Sequence, residues 1–289
     1  MDPLLLTLSF GAAFCFALAL VLTQYGLRTV APMDGARISV PVTAAIFLAL
    51  SPLTVSFSQW HAGSLTLFAA AGLFFPVAVT LLTFAANRLI GPNLTGTLGN
   101  MTPLFAVGLA ALLLGEVPES GQLAGIAVIC LGVVLLFARR QRRPAGIPAW
   151  AVLLPLAAAL IRGLVQPVVK LGLEDWPDPF AAVTVGYLVS AVVMMTLGLA
   201  SNSTGGAFVP AATGRLWFVA VGIVNGLAVL TLYAALARGP VTLVAPLVAC
   251  YPIFTLLLNR ILLGDRNLSL RLAAGVAVTV AGVALLLAS

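Results

Sequence analysis

The chain has 289 residues, of which 62% are apolar and only 8% charged, with a formal net charge of +6. Soluble domains carry about a quarter charged residues, so the composition excludes an ordinary soluble protein and specifies a membrane protein. The one dense basic cluster, RRQRR at 139–143, reads as a cytoplasmic loop anchor and not as a nucleic-acid surface.

A helix needs about 20 apolar residues to cross about 30 Å of hydrocarbon, and stretches of that kind recur from end to end. They predict ten spans, at 4–25, 36–55, 64–86, 92–114, 119–138, 148–169, 180–200, 214–235, 240–262 and 268–287. The fold class is therefore an all-α polytopic membrane protein. No basic region precedes the first span and no small-residue cleavage pattern follows it, so no cleaved signal peptide is expected. Cys15, Cys130 and Cys250 fall in three different spans, without C-x-x-C spacing or a neighbouring histidine, and read as small hydrophobes. The connections are too short for a soluble domain, which places function inside the spans.

Membrane proteins concentrate Lys and Arg in cytoplasmic loops. The loops after spans 1, 3, 5, 7 and 9 hold Arg28, Arg37, Arg88, Arg139, Arg140, Arg142, Arg143, Arg215, Arg260, Arg266 and Arg271, against only Lys170 and Arg238 on the other side. That asymmetry puts the odd-numbered loops in the cytoplasm and both termini outside. The expected location is the inner membrane of a bacterial cell.

The chain also repeats itself. GPNLTGTLGNMTPLFAVGLAALLLGE, from Gly91, is echoed by GPVTLVAPLVACYPIFTLLLNRILLGD, from Gly239, in its G-P opening, its P-[LI]-F centre and its LLG-acid ending. GIAVICLGVVLL, from Gly125, then matches GVAVTVAGVALL, from Gly275, at seven of twelve positions. These blocks divide the chain into two halves, 1–143 and 144–289, of five spans each. An odd number of spans makes the second half enter the membrane from the opposite side, so the repeats are expected to be inverted.

These motifs resemble the EamA-type ten-helix members of the drug/metabolite transporter superfamily, and the resemblance covers essentially the whole chain. It implies two inverted five-helix repeats around a central cavity, and transport of small metabolites by alternating access. Many relatives carry a tryptophan in the middle of the first helix of each half, where this chain has the neighbourhoods of Phe16 and Arg162. Gly125 and Gly132, like Gly275 and Gly282, are seven residues apart and so share a helix face suited to close packing in lipid. By resemblance to the small multidrug transporters, spans 5 and 10 should pack together through them.

All eight acidic residues fall in loops or at span ends, so no carboxylate is placed at the bilayer midplane. Glu116 and Asp265, which close the LLG-acid motifs, read as turn or cap acids, and the single His61 reads as a surface residue. Arg162 is the opposite case. At about 1.5 Å per residue it lies about 20 Å along span 6, past the midplane, where a charge is costly unless it meets a wet cavity, a partner or an anion. Gln166 and Lys170 follow on the same face at i+4 and i+8, while the matching first-half positions are Phe16, Leu20 and Gln24. The competing structural reading has Arg162 binding carbonyls freed by Pro155 and Pro167, or snorkelling outward.

Asn93, Thr97 and Asn100 in span 4, Thr80 and Thr83 in span 3, Asn225 and Tyr233 in span 8 and Tyr251 in span 9 complete the polar interior. With Arg162 and Gln166, the candidate substrate-binding set is Asn93, Thr97, Asn100, Asn225, Tyr233 and Tyr251. Pro76, Pro103, Pro167, Pro246 and Pro252 are expected helix breaks or hinges. No clustered nucleophile, base or metal ligands suggest an enzyme, and no cofactor, metal or nucleic-acid partner is expected. The expected partners are a small-molecule substrate and the lipid bilayer, with the chain acting as a monomer or homodimer. The reading is a secondary transporter of a small polar metabolite, an amino acid or organic acid, in the direction of export. A same-fold carrier of neutral or cationic compounds and a channel or scrambling scaffold are the alternatives.

Overall fold

A computed structural model describes residues 2–56, 60–90, 95, 98–137, 149–200, 212–262 and 270–288. Within them the regular structure is helical, with no strand. The first half contributes α1 (Pro3–Gly26), α2 (Pro32–Thr54), α3 (Ala62–Phe74), α4 (Val77–Ile90), α5 (Thr102–Leu113) and α6 (Ser120–Phe137). The second contributes a short 3-10 turn (Ala149–Val152), α7 (Leu153–Asp175), α8 (Pro179–Ala200), α9 (Ala212–Leu236), α10 (Val241–Val248), α11 (Tyr251–Leu262) and α12 (Leu270–Ala288). Among the described residues, 7 helical segments are long and apolar enough to cross a membrane, and Thr102–Leu113, Ser120–Leu135 and Ala274–Ala288 are shorter apolar helices.

Local chemistry sets the ends. Asp2 caps α1 by accepting from Leu4 N at 2.9 Å, with Pro3 at the first helical position, where a missing N–H costs nothing. Asp178 caps α8, its Oδ1 accepting from the backbone of Phe180 and Ala181 at 2.9 and 3.0 Å. Pro76 lacks the amide that would continue α3 into α4, and the helix breaks there. Pro103 and Pro252 stand in the first turns of α5 and α11. Pro167 and Pro246, by contrast, lie inside α7 and α10, which run through them without a break. The proline leaves one carbonyl of the preceding turn without its donor, yet packing holds the helix: both prolines are buried.

One boundary moves the central residue. The expected sixth span ends at 169, but α7 continues to Asp175. Arg162 is thus equidistant from Ala149 and Asp175, at the middle of its helical segment instead of beyond it.

The halves meet through contacts that survive their exchange. Thr43 on α2 donates to Gly222 O on α9 at 2.7 Å, and Ser190 on α8 donates to Gly72 O on α3. Likewise Gly26 of α1 sits against the ring of Phe218, and Gly172 of α7 against the ring of Phe68. Each pair recurs with partners shifted by about the repeat length. The last helices of the two halves, α6 and α12, pack directly on one another. A Cβ on Gly125 would stand 2.8 Å from Leu286 N, and one on Gly282 would stand 2.6 Å from Ile129 N. Gly132 faces Thr279, whose hydroxyl donates to Gly275 O at 2.8 Å. As numbers rise along α6 they fall along α12, so the two helices are antiparallel.

Candidate functional site

The interior of the bundle holds a cavity of about 320 Å³ bounded by α1, α2, α4, α7 and α9 and by the ends of α5, α10 and α11. Helix α1 contributes only its C-terminal half, through Phe16, Leu20 and Thr23, and α2 only its N-terminal half, through Ala36, Ser39 and Val40. The cavity therefore lies toward the face that carries the α1–α2 connection. At the opposite face polar contacts tie the halves together. Ser56 N donates to Asp178 Oδ2 at 2.8 Å, Trp176 Nε1 donates to Ser56 O at 3.2 Å, and Thr242 N donates to Glu116 Oε2 at 3.2 Å. Glu116 is thus a cap acid, but for α10 in the other half and not for its own next helix. His61 is exposed, with its Nδ1 3.7 Å from Asp175.

Arg162 reaches the cavity from the middle of α7. It keeps partial exposure only because the cavity adjoins it. Its Nη2 donates to Thr83 Oγ1 on α4 at 3.3 Å, and Nη1 points toward Gly99. Tyr251 and Asn100 line the same cavity. No acidic residue lines the cavity among the described residues, and Arg162 makes no ion pair. Among the described residues it takes up no backbone carbonyl, so the reading in which it serves the carbonyls near Pro155 and Pro167 has no contact there to support it. Helices α4, α5 and α11 all begin at the cavity wall, where Pro76, Thr102 and Tyr251 line it. Helix N-termini carry partial positive charge, which adds to that of Arg162.

A neutral polar group stands on α9, where Asn225 Nδ2 donates to Tyr187 Oη at 2.9 Å with Tyr233 nearby. Gln166, one turn beyond Arg162, is 7% exposed; its Nε2 makes a long 3.4 Å bond to Arg162 O. Its Oε1 has no hydrogen-bond partner among the described residues. Lys170 leaves this stripe: its Nζ donates to Leu236 O at 2.8 Å and Gly239 O at 3.1 Å, so it caps the C-terminal end of α9. The rest of the wall is mostly apolar, with Phe16, Phe75 and Phe218 prominent.

Six expected site residues, Asn100, Arg162, Gln166, Asn225, Tyr233 and Tyr251, thus line one cavity, together with Pro76 and Pro103. Asn93 and Thr97 lie outside the described residues. Pro167, Pro246 and Pro252 are buried behind the wall without lining it. Gly125, Gly132, Gly275 and Gly282 lie away from it on α6 and α12. Sequence reading missed Tyr187, which orients Asn225, and Phe218, packed against Gly26 and Gly35 at the cavity's edge. A tyrosine inside a span was a signal for the first, and the repeat of the Gly–Phe contact for the second.

A helical bundle of membrane-crossing length, with two mutually equivalent halves around a largely apolar cavity that holds a few polar groups, defines an integral membrane protein. The chain belongs to the EamA-like transporter family, whose model matches it twice, over residues 4–138 and 149–288. It is a membrane transporter by that membership. A solved structure described only as "Crystal structure of protein" is similar in fold, with a TM-score of 0.80 and 21% identity over 98% of each chain. No curated protein matches the sequence.

Proposed function

We propose that the protein is a secondary transporter in which Arg162 holds the anionic group of a small polar metabolite, an amino acid or organic acid. The observation that carries this reading is the guanidinium at mid-helix, facing the cavity, with a threonine hydroxyl as its hydrogen-bond partner and no acid beside it among the described residues. A buried charge without a counter-ion is costly, and an anionic ligand removes that cost.

The path across the membrane is ten spans in two inverted repeats, divided at 143/144. The antiparallel α6–α12 pair and the reciprocal contacts between halves support it, since inversion turns equivalent helices antiparallel. With the odd-numbered loops in the cytoplasm and both termini outside, the cavity lies on the cytoplasmic side of a bacterial inner membrane. This is the state in which an exporter loads. Alternating access then requires the contacts at Ser56, Asp178 and Glu116 to part as the opposite face closes.

The test is thermal stabilisation of the purified protein by a metabolite panel sorted by charge, in wild type and Arg162→Ala. A ligand that binds only the folded state raises its stability by mass action. Carboxylates are expected to stabilise wild type and to lose that effect in a folded mutant. Equal stabilisation of both proteins by neutral or cationic compounds would make Arg162 structural and overturn the reading.

A further inference from the structure

The charge balance of the cavity and one orphaned oxygen beside Arg162 narrow the ligand further, on the premise that Arg162 binds an anion. Arg162 is the only charged side chain lining the cavity among the described residues. The segment 91–97, which precedes the lining residues Gly99 and Asn100, holds no charged residue in its sequence. A ligand of net charge −1 neutralises the site. A dianion leaves one negative charge in a mostly apolar chamber, and a zwitterion leaves the guanidinium charge uncompensated by bringing an ammonium of its own.

Gln166 supplies the second element. It lies one turn from Arg162 on α7, about 6 Å along the axis, and its Oε1 is buried without a donor among the described residues. Orphaned buried acceptors are rare in folded proteins and call for an explanation. Gln166 lines the cavity, and among the described residues its amide is held only by the 3.4 Å contact to Arg162 O, so a change of side-chain rotamer is free to turn Oε1 toward a ligand. We infer that the ligand is a net monoanion with an uncharged hydrogen-bond donor, a hydroxyl or amide N–H, beside its anionic group, received by Gln166. A 2-hydroxy acid or an N-acylated amino acid has that chemistry; a free amino acid or a dicarboxylate does not.

Four six-carbon probes separate the possibilities: hexanoate, 2-hydroxyhexanoate, 2-aminohexanoate and adipate. Each is titrated by thermal shift against wild type, Gln166→Leu and Arg162→Ala, with Gln166→Met as a more flexible replacement if the leucine variant fails to fold. In wild type, 2-hydroxyhexanoate is expected to bind about tenfold tighter than hexanoate, the worth of one well-placed hydrogen bond to a buried acceptor. The other two should bind more weakly than 2-hydroxyhexanoate. In Gln166→Leu the preference for the hydroxy acid should shrink to about twofold or less, with hexanoate affinity unchanged. The inference is overturned if hexanoate and 2-hydroxyhexanoate bind wild type equally, if their ratio survives in Gln166→Leu, or if 2-aminohexanoate or adipate matches the hydroxy acid. Those outcomes leave the anion reading standing as long as hexanoate binding needs Arg162. Failure of all four probes to bind, or equal binding to Arg162→Ala, sinks the anion reading and this inference with it.

Discussion

Replacing Gly282 by alanine adds one methyl group to the interface between α6 and α12. That methyl would lie 2.6 Å from Ile129 N and 3.0 Å from Val128 C, both backbone atoms that no rotamer change can move. Ordinary contact between heavy atoms begins near about 3.5 Å, so the helices must separate by about 1 Å. A gap of that size forfeits about a quarter to a half of the dispersion energy of the atoms facing it, and overpacked sites of this kind cost about 1–3 kcal/mol. At about 2–4 °C per kcal/mol for a large domain, the melting temperature in detergent should fall by about 2–12 °C. Gly108 on α5 is the control: its added Cβ meets nothing within 4 Å. Alanine there should be neutral or raise stability by up to about 1 kcal/mol through helix propensity. Equal melting temperatures for Gly282→Ala and Gly108→Ala would refute the close α6–α12 packing.

Three further outcomes follow from individual contacts. Lys170→Met removes a charged donor from Leu236 O and Gly239 O and should cost about 1–3 kcal/mol by thermal melting, while leaving the charge preference for ligands unaltered. Asp178→Ala deletes both the cap of α8 and the tie to Ser56 N; a loss of about 1–2 kcal/mol is expected. Because that tie closes the face away from the cavity, a cysteine at Ser56 should also become faster to label with a membrane-impermeant thiol reagent in Asp178→Ala than in an Asp178 background. Asn225→Leu strips Tyr187 of the amide that donates to its hydroxyl and should destabilise by about 1–3 kcal/mol. Unchanged melting in that variant would mean the tyrosine hydroxyl finds a replacement.

Most of the helical layout was legible in the sequence because the membrane imposes a single length scale on apolar segments. The repeat was legible for a related reason: small residues cannot drift where backbones touch, and Gly125, Gly132 and Gly282 are held by atoms under 3 Å from any added Cβ. The split of the third span at Pro76 and of the ninth around residues 249–250 could be expected from proline chemistry. Proline alone did not say which helices would break, since α7 and α10 run through Pro167 and Pro246. The end of α7 was misplaced by six residues, because VVKLGLED carries polar groups that hydropathy reads as a boundary. The structure gives Lys170 a backbone target on α9, which lets the helix continue. Periodicity put Lys170 on the Arg162 stripe but could not show that its long side chain turns away to another helix.

Six candidate polar residues from spans 4, 6, 8 and 9 converge on one cavity. Their polarity inside apolar spans was the visible signal. Pairings such as Arg162 with Thr83, or Asn225 with Tyr187, depend on which helices adjoin, and nothing in the local sequence encodes that.

The central claim is that Arg162 binds the anionic group of the transported molecule. Flux measured in proteoliposomes tests it most directly, using the carboxylate that most stabilises the wild-type protein. Saturable uptake should fall by more than about tenfold in Arg162→Ala at sub-saturating substrate, recover in part in Arg162→Lys, and be unaffected by Arg215→Ala, whose exposed side chain does not line the cavity. Saturable flux of the same compound in Arg162→Ala, equal to that of wild type, would contradict the account.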